Sequence, residues 1–162
     1  SRPLSEKWQA TGDFRYSDIG ALPAVGSFEA TQATGAQYGL TLQLTGSNLY
    51  SKRDINNFNL SVLSTPMFNG VQLAYNNLTS ILDNTVTVEP SIRVYSQRDA
   101  QEGTLMRVSP GIRLSYRLSK KASIMGESML EHSKSTNKTS AGLNNDTINS
   151  VFFYFGYRYD LF

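Results

Sequence analysis

The sequence predicts an all-β protein whose strands run up and down in one antiparallel sheet. Three observations carry this prediction. Apolar and polar residues alternate along most of the 162-residue chain, and a period of two is typical of strands. No window concentrates Ala, Leu, Glu and Lys, so no segment favours a helix. Short polar connections such as "SKRDIN", "LDN" and "SKK" separate several of the alternating segments, as they do in a meander of sequential strands.

The first four predicted strands each place their apolar side chains on one parity. In the first strand, Trp8 and Phe14 share a parity, and Asp13 and Arg15 lie on the other. In the next three strands, Leu, Val, Phe and Tyr lie on one parity. The other parity carries mainly Thr, Gln, Asn and Ser. These four segments are 8–17, 38–45, 58–62 and 71–76.

The last four predicted strands are longer and carry more charge. Val88 and Ile92 alternate with Glu89 and Arg93 in the fifth strand, and the seventh has the weakest alternation. The eighth is "SVFFYFGYRYDLF", in which most Phe and Tyr residues share one parity. The four segments are 86–95, 106–118, 122–131 and 150–162.

The lengths of these strands and of their connections point to a membrane. Strands of ten or more residues exceed the five or six typical of soluble proteins, whereas a tilted membrane strand needs about 9–11 residues. The connections at one end are short, namely 51–56, 82–84 and 119–121. Those at the other end include two long ones and are 19–35, 66–70, 99–103 and 133–146. Short turns at one end and longer loops at the other are typical of outer-membrane barrels.

We therefore expect an antiparallel up-and-down transmembrane β-barrel with about eight strands in this chain. Residues 1–162 form one barrel domain or a barrel segment, either closed alone or part of a larger barrel. A soluble ligand-binding barrel would alternate too, with its apolar face inward. The strand lengths and the aromatic last strand favour the membrane protein.

Charges lie well inside the predicted strands, on the polar parity. When neighbouring strands are folded about their connections, Glu89 comes near Arg113 and Arg113 comes near Glu127. Arg158, on the last strand, would meet Glu127. Opposite charges directly across strands are favourable, so we expect an interior charge row of Glu89, Arg113, Glu127 and Arg158.

Two prolines fall in the middle of predicted strands, in the similar segments "VEPSIRVY" and "VSPGIRLS". Proline cannot donate to a sheet ladder and usually marks an edge or a bulge. In the register just described, Pro90 and Pro110 lie diagonally close. We therefore expect a shared local bulge.

The residues that could carry chemistry do not form a catalytic set. The absence of cysteine excludes disulfides and thiol catalysis, and the only histidine, His132, cannot form a His-based metal triad. Glu127 and Glu131 could be paired carboxylates of a hydrolase, but the nearby arginines favour ion-paired wall residues. A net charge of +2 without a basic, aromatic-rich cluster argues against nucleic acid. We expect no enzyme activity, no catalytic residue, no cofactor and no metal.

Aromatic residues cluster near the ends of the predicted strands, as the girdles of a membrane barrel do. They are Trp8, Tyr16, Tyr38, Tyr50, Phe58, Tyr75, Tyr116, Tyr157 and Tyr159.

The ending "YFGYRYDLF" resembles the terminal strand of bacterial outer-membrane β-barrel proteins. In that family, a C-terminal aromatic residue preceded by alternating hydrophobic residues is recognised by the barrel assembly machinery. The resemblance implies an assembly signal made of Phe162, Tyr159, Tyr157 and Phe155. Phe162 departs from the pattern because Leu161 is in phase with the apolar residues and Phe162 is not. Either the strand stops at Leu161 or a bulge at Asp160 resets its phase.

A narrower resemblance involves "VSPGIRLSYRL", "ASIMGESMLEHS" and "FYFGYRYDLF", which together cover about the last third of the chain. These segments are similar to the last strands of barrels that follow tetratricopeptide-type periplasmic domains, and such proteins commonly export exopolysaccharide. The resemblance implies an export channel in the bacterial outer membrane. Its partners would be membrane lipid and lipopolysaccharide, the assembly machinery and a polysaccharide. The alternative is a complete, plugged eight-stranded barrel that acts as an anchor, an adhesion surface or an envelope-integrity protein.

Overall fold

The computed structural model describes residues 1–21, 35–100, 103–139 and 142–159. Within these ranges the chain forms one antiparallel sheet of nine strands in the order β1 to β9, so the all-β, up-and-down prediction is confirmed. The strands are β1 (Arg2–Pro3), β2 (Trp8–Ile19), β3 (Gly35–Ser47), β4 (Ile55–Ser64), β5 (Phe68–Ile81), β6 (Val86–Asp99), β7 (Thr104–Arg117), β8 (Ala122–Thr139) and β9 (Gly142–Tyr159). The described part of the chain contains no helix that is long and apolar enough to cross a membrane.

The eight expected strands correspond to β2–β9, and the structure adds the two-residue β1 beside β2. Most strands extend beyond the alternating segments. The expected loop 133–146 is wrong, because β8 continues to Thr139 and β9 begins at Gly142. Side chains on both faces of this hairpin are mostly polar, so hydrophobic alternation could not mark the strands there. The other long connection, 19–35, lies mostly outside the described residues, and Gly35 already belongs to β3.

Each strand pairs only with its neighbours in the chain. β9 pairs with β8 on one side, and its other edge has no strand partner in the described ranges. The outer edge of β2 is paired with β1 only at Gln9 and Ala10. The described residues therefore form an open sheet, and closure between the first and last long strands is not observed.

The prolines interrupt the ladders without a bulge. The pairing of β5 with β6 stops beside Pro90, and the pairing of β7 with β8 stops beside Pro110. In both places the same register resumes on the far side, so no extra residue is inserted and the bulge prediction is wrong. The missing proline N–H removes ladder bonds on one side only, while the β6–β7 ladder runs through both prolines.

On the inner strands, most clearly β3 and β7, the sheet shields its polar side better than its apolar side. In β7, Met106, Ile112 and Leu114 are exposed, whereas Arg107 is half-buried and Ser109 is 5% exposed. Among the described residues no hydrophobic side chain is buried, and the buried polar side chains are Asp54, Asn56, Asn77, Ser109 and Ser133. This pattern is the opposite of a soluble protein, in which Ile, Val, Leu and Phe are the residues most often buried.

Candidate functional site

The polar face carries the charge row on β6, β7 and β8. Arg113 lies directly opposite Glu89 on β6 and Glu127 on β8. Its Nη2 and Nε lie 2.8 and 2.9 Å from Glu127 Oε2, and its Nη1 lies 3.5 Å from Glu89 Oε2. One guanidinium thus bridges two carboxylates on the neighbouring strands, and its fork geometry suits this role better than a lysine ammonium would.

Arg158 does not belong to this row. Glu127 faces Tyr154 on β9, and Arg158 faces Ser123, four residues along β8 from Glu127. The expected position assumed a long loop between the last two strands. The strands instead continue to Thr139 and from Gly142, which sets a different register.

The remaining polar face carries different groups on different strands. On β7 and β8, Arg107 Nε lies 3.4 Å from Glu131 Oε1, and both side chains are partly sheltered. On the β3–β4 pair the cross-strand contacts are uncharged: Thr45 donates a hydrogen bond to Asn57 at 2.9 Å, and the hydroxyls of Thr41 and Ser61 lie 3.5 Å apart. The polar face therefore carries ion pairs on β6–β8 and amide and hydroxyl groups on β3 and β4, and β2 adds a further pair between Asp13 and Arg15 at 2.7 Å.

Aromatic side chains on the apolar face gather at two levels. Near the short turns, the ring of Phe58 lies 6.3 Å from Trp8 and 4.8 Å from Tyr75. At the other end of β2, the rings of Tyr16 and Tyr38 are 5.2 Å apart. Trp8 and Tyr16 are separated by eight steps of the strand, or about 26 Å along it at about 3.3 Å per residue. Two aromatic levels with this spacing resemble the girdles that flank the apolar band of a membrane barrel.

The apolar band ends abruptly on the last hairpin. Beyond Leu130 on β8 and Val151 on β9, the same parity continues with His132 and Asn149, whose Nδ1 and Oδ1 lie 2.6 Å apart. His132 therefore lies at the edge of the band, beside an amide. The rest of the hairpin extends past this edge with mainly polar side chains.

A buried polar network fixes the β3–β4 turn at the short-turn end. The Asp54 carboxylate is fully buried and accepts hydrogen bonds from the backbone N–H groups of Leu49 at 2.7 Å and Tyr50 at 2.9 Å. The Asn56 amide donates to it at 3.1 Å and accepts in turn from Asn77 at 2.8 Å. The network is not among the features predicted from the sequence, although an aspartate that closes a polar turn could have indicated it.

Hydrogen bonding controls the ionisation of this aspartate. Burial alone raises the pKa of the Asp54 carboxyl, but the hydrogen bonds from Tyr50, Asn56, Leu49 and the Ser51 backbone outweigh burial and lower the pKa below its usual value. The network therefore holds a carboxylate, which suits its two backbone donors.

A concavity of about 720 Å³ opens on the apolar face over β2–β6. Leu42, Phe58, Leu73 and Ile92 contribute to its lining, which is mainly hydrocarbon. Such a lining suits an apolar ligand or surface better than a polar one. In the described ranges, no group of His, Asp and Glu side chains is arranged to hold a metal ion.

Three members of the expected assembly signal lie on the apolar face of β9. Phe155, Tyr157 and Tyr159 are all exposed there, with Phe155 at 74%. Phe162 lies outside the described residues, as do Asp160 and Leu161. Comparison with protein-family models, curated protein sequences and solved structures gives no match for this chain.

Proposed function

We propose that this chain forms part of the wall of a bacterial outer-membrane β-barrel that serves as a transport or export channel. One observation carries the proposal: on the inner strands, most clearly β3 and β7, the apolar side chains are exposed while most side chains of the polar face are partly sheltered. In the proposed arrangement the apolar face contacts membrane lipid and the polar face lines the interior.

The energetics favour lipid over water for the apolar face. Its exposed side chains include Phe14, Leu42, Leu73, Ile112, Phe153 and Phe155. Removing one such side chain from water contributes about 1.5–3 kcal/mol, and soluble monomers rarely expose apolar patches beyond a few hundred Å². Here the apolar face extends across every long strand, so its exposure to water would be unfavourable throughout.

The export role rests on two further features. The sheet is open at β2 and β9, which suits a wall that further strands complete into a barrel wide enough to conduct. The amide and hydroxyl groups of β3 and β4 can exchange hydrogen bonds with the hydroxyls of a polysaccharide. Together with the resemblance of the last strands, these features favour exopolysaccharide as the cargo. Lipopolysaccharide and the barrel assembly machinery are the expected partners.

A plugged barrel is the second candidate, and the ion pairs favour it. Arg113 is held by Glu89 and Glu127, and Arg107 is paired with Glu131. Neutralised charges suit an interior filled by side chains, and a closed eight-stranded barrel is just wide enough for such filling. Such a protein would anchor or protect the envelope and would not conduct.

The single tryptophan offers a direct test of membrane insertion. Trp8 lies at the aromatic level near the short turns. When the chain is refolded into lipid vesicles, we expect Trp8 emission to shift to the blue and to be quenched by lipids brominated on their acyl chains. The matched control is Trp8→Phe combined with Tyr50→Trp. This pair moves the reporter to the β3–β4 turn, where Tyr50 is 77% exposed, and quenching should be weaker. Unshifted and unquenched Trp8 emission would contradict lipid contact.

A further inference from the structure

A basic pocket lies on the polar face at the short-turn end of β6–β9. It has a volume of about 530 Å³, within the range of about 300–1,000 Å³ that is common for ligand sites. Four cationic residues line it: Arg117 at the end of β7, Lys120 and Lys121 in the β7–β8 turn, and Arg158 on β9. We define these four residues as the basic pocket.

Three of these cations, Arg117, Lys120 and Lys121, form no ion pair with another described residue. Among the described residues, no Asp or Glu lines it. Glu127, on the same face, lies four residues along β8 from Ser123 and pairs with Arg113. Cations drawn together in this way repel one another, and an anion bound among them would relieve the repulsion.

Neutral donors surround the cations. The hydroxyls of Thr87 and Ser123 lie on the same parity as Arg117 and Arg158 and contribute to the lining. Hydroxyl, ammonium and guanidinium groups can each donate to the oxygens of one tetrahedral anion. Hydrogen bonds from charged donors to phosphate are about twice as strong as neutral ones.

The backbone around the pocket is held in place by two linked turns. Ser119 Oγ accepts hydrogen bonds from the N–H groups of Lys121 at 3.2 Å and Ala122 at 3.1 Å, which fixes the β7–β8 turn. The Arg117 N–H donates to Thr85 O at 2.8 Å and joins this turn to the β5–β6 turn. The backbone that carries these cations is therefore held by hydrogen bonds, which reduces the conformational entropy lost when an anion binds.

We infer that the basic pocket binds a phosphate-bearing anion. The inference does not depend on membrane insertion, because the pocket is built by the polar face and two turns alone. Its location does add to the proposed function: in a barrel it would lie at the short-turn mouth of the interior. The phosphate could come from a soluble anion or from a lipid headgroup, which share this chemistry.

The test uses the refolded full chain in uncharged detergent micelles, with inorganic pyrophosphate as the probe and titration calorimetry as the measurement. We expect saturable binding with a stoichiometry of one. The double variant Lys120→Gln, Lys121→Gln should weaken binding by about tenfold or more, because charge-assisted hydrogen bonds are lost. Both lysines are exposed, so the fold should survive, which circular dichroism would check.

The matched control is Lys52→Gln with Arg53→Gln. It removes two charges from the β3–β4 turn at the same end of the sheet, four strand spacings away. At about 4.8 Å per strand this is about 19 Å, beyond the screening length of about 10 Å at 0.1 M salt. Affinity should change by less than about twofold at that salt concentration.

The absence of pyrophosphate binding would overturn the inference. Equal weakening in both double variants would overturn it as well, because it would indicate diffuse attraction. Ser123→Ala gives a second readout, since it keeps every charge and should still weaken binding; unchanged affinity in both Ser123→Ala and the lysine variant would also exclude the site. Competition by soluble dihexanoylphosphatidylglycerol would identify a headgroup as the source. Binding that persists in its presence would identify a soluble anion.

Discussion

At the scale of single residues, Asp54 shows how one carboxylate organises a turn. Its two oxygens accept from Leu49 and Tyr50, and its backbone oxygen accepts from the Asn48 N–H at 2.9 Å. Asn48 and Arg53 both adopt positive φ angles, of 56° and 73°. Such backbone conformations cost free energy for residues other than glycine, and the hydrogen bonds of Asp54 offset that cost.

The lowered pKa of Asp54 predicts a pH dependence of folding. Because the pKa of this carboxyl is lower in the folded state, its stabilising effect is fully present above the unfolded pKa of about 3.9. The effect is lost as the pH falls through the lower folded pKa. We expect the free energy of unfolding to decrease below about pH 4 in the wild type.

Asp54→Asn should remove this component, and urea unfolding between neutral and acidic pH would measure it. The variant keeps the side-chain shape but replaces one acceptor oxygen by a donor, so it should also be less stable at neutral pH. Identical pH slopes in the two proteins would show that Asp54 does not contribute.

At the scale of the strand, β9 offers neighbouring aromatic residues on opposite faces. Phe153 is 80% exposed on the apolar face, opposite Ser128 on β8. Tyr154, the next residue, lies on the polar face opposite Glu127. Both side chains are large and aromatic and lie at nearly the same position along β9, so they differ mainly in the face of the sheet on which they lie.

The same substitution at these two positions should therefore have different effects. Phe153→Arg should destabilise the protein in lipid vesicles by about 2–4 kcal/mol, because a charge on the lipid face is costly. Tyr154→Arg should cost much less, since the new guanidinium faces Glu127. Urea unfolding in vesicles would measure both variants. Equal destabilisation would contradict the assignment of faces.

The sequence predicts the strands better than it predicts their ends. Alternation marks all eight long strands. Because the connections between β6, β7 and β8 are short, they allow few registers, and Glu89, Arg113 and Glu127 lie opposite one another as predicted. The full length of the β8–β9 hairpin could not be predicted, because polar residues on both faces give no periodic signal. The misplacement of Arg158 follows from that error. Asp54 itself could be read as a turn residue, but the contact of Asn56 with Asn77 and the basic pocket could not be predicted, since each brings together residues from separate hairpins or strands.

At the scale of the whole molecule, the open sheet and the paired charges favour different barrels. The edges of β2 and β9 can accept further strands, which suits a wide channel. The pairs of Arg113 and Arg107 with glutamates suit a filled interior. Conductance separates the two, because a closed eight-stranded barrel leaves no continuous aqueous path.

We expect the refolded chain to give stable, large conductance steps in planar lipid bilayers if it assembles into a wide wall. The measurement should be made on material that Trp8 quenching shows to be inserted. Inserted protein that never conducts would contradict a wide pore assembled from copies of this chain and would support the plugged barrel. Arg113→Gln provides a control, since loss of its ion pairs should alter ion selectivity only where a pore exists.

The neighbour-only pairing of the strands has a consequence for how such a protein can change over evolution. No strand needs a distant segment of the chain as its partner within the described sheet. A hairpin can therefore be duplicated or lost without rerouting any other strand, provided that the new edges carry the same alternation of faces. The width of the sheet is then a variable that insertion of whole hairpins can tune, while the chemistry of each existing strand is kept.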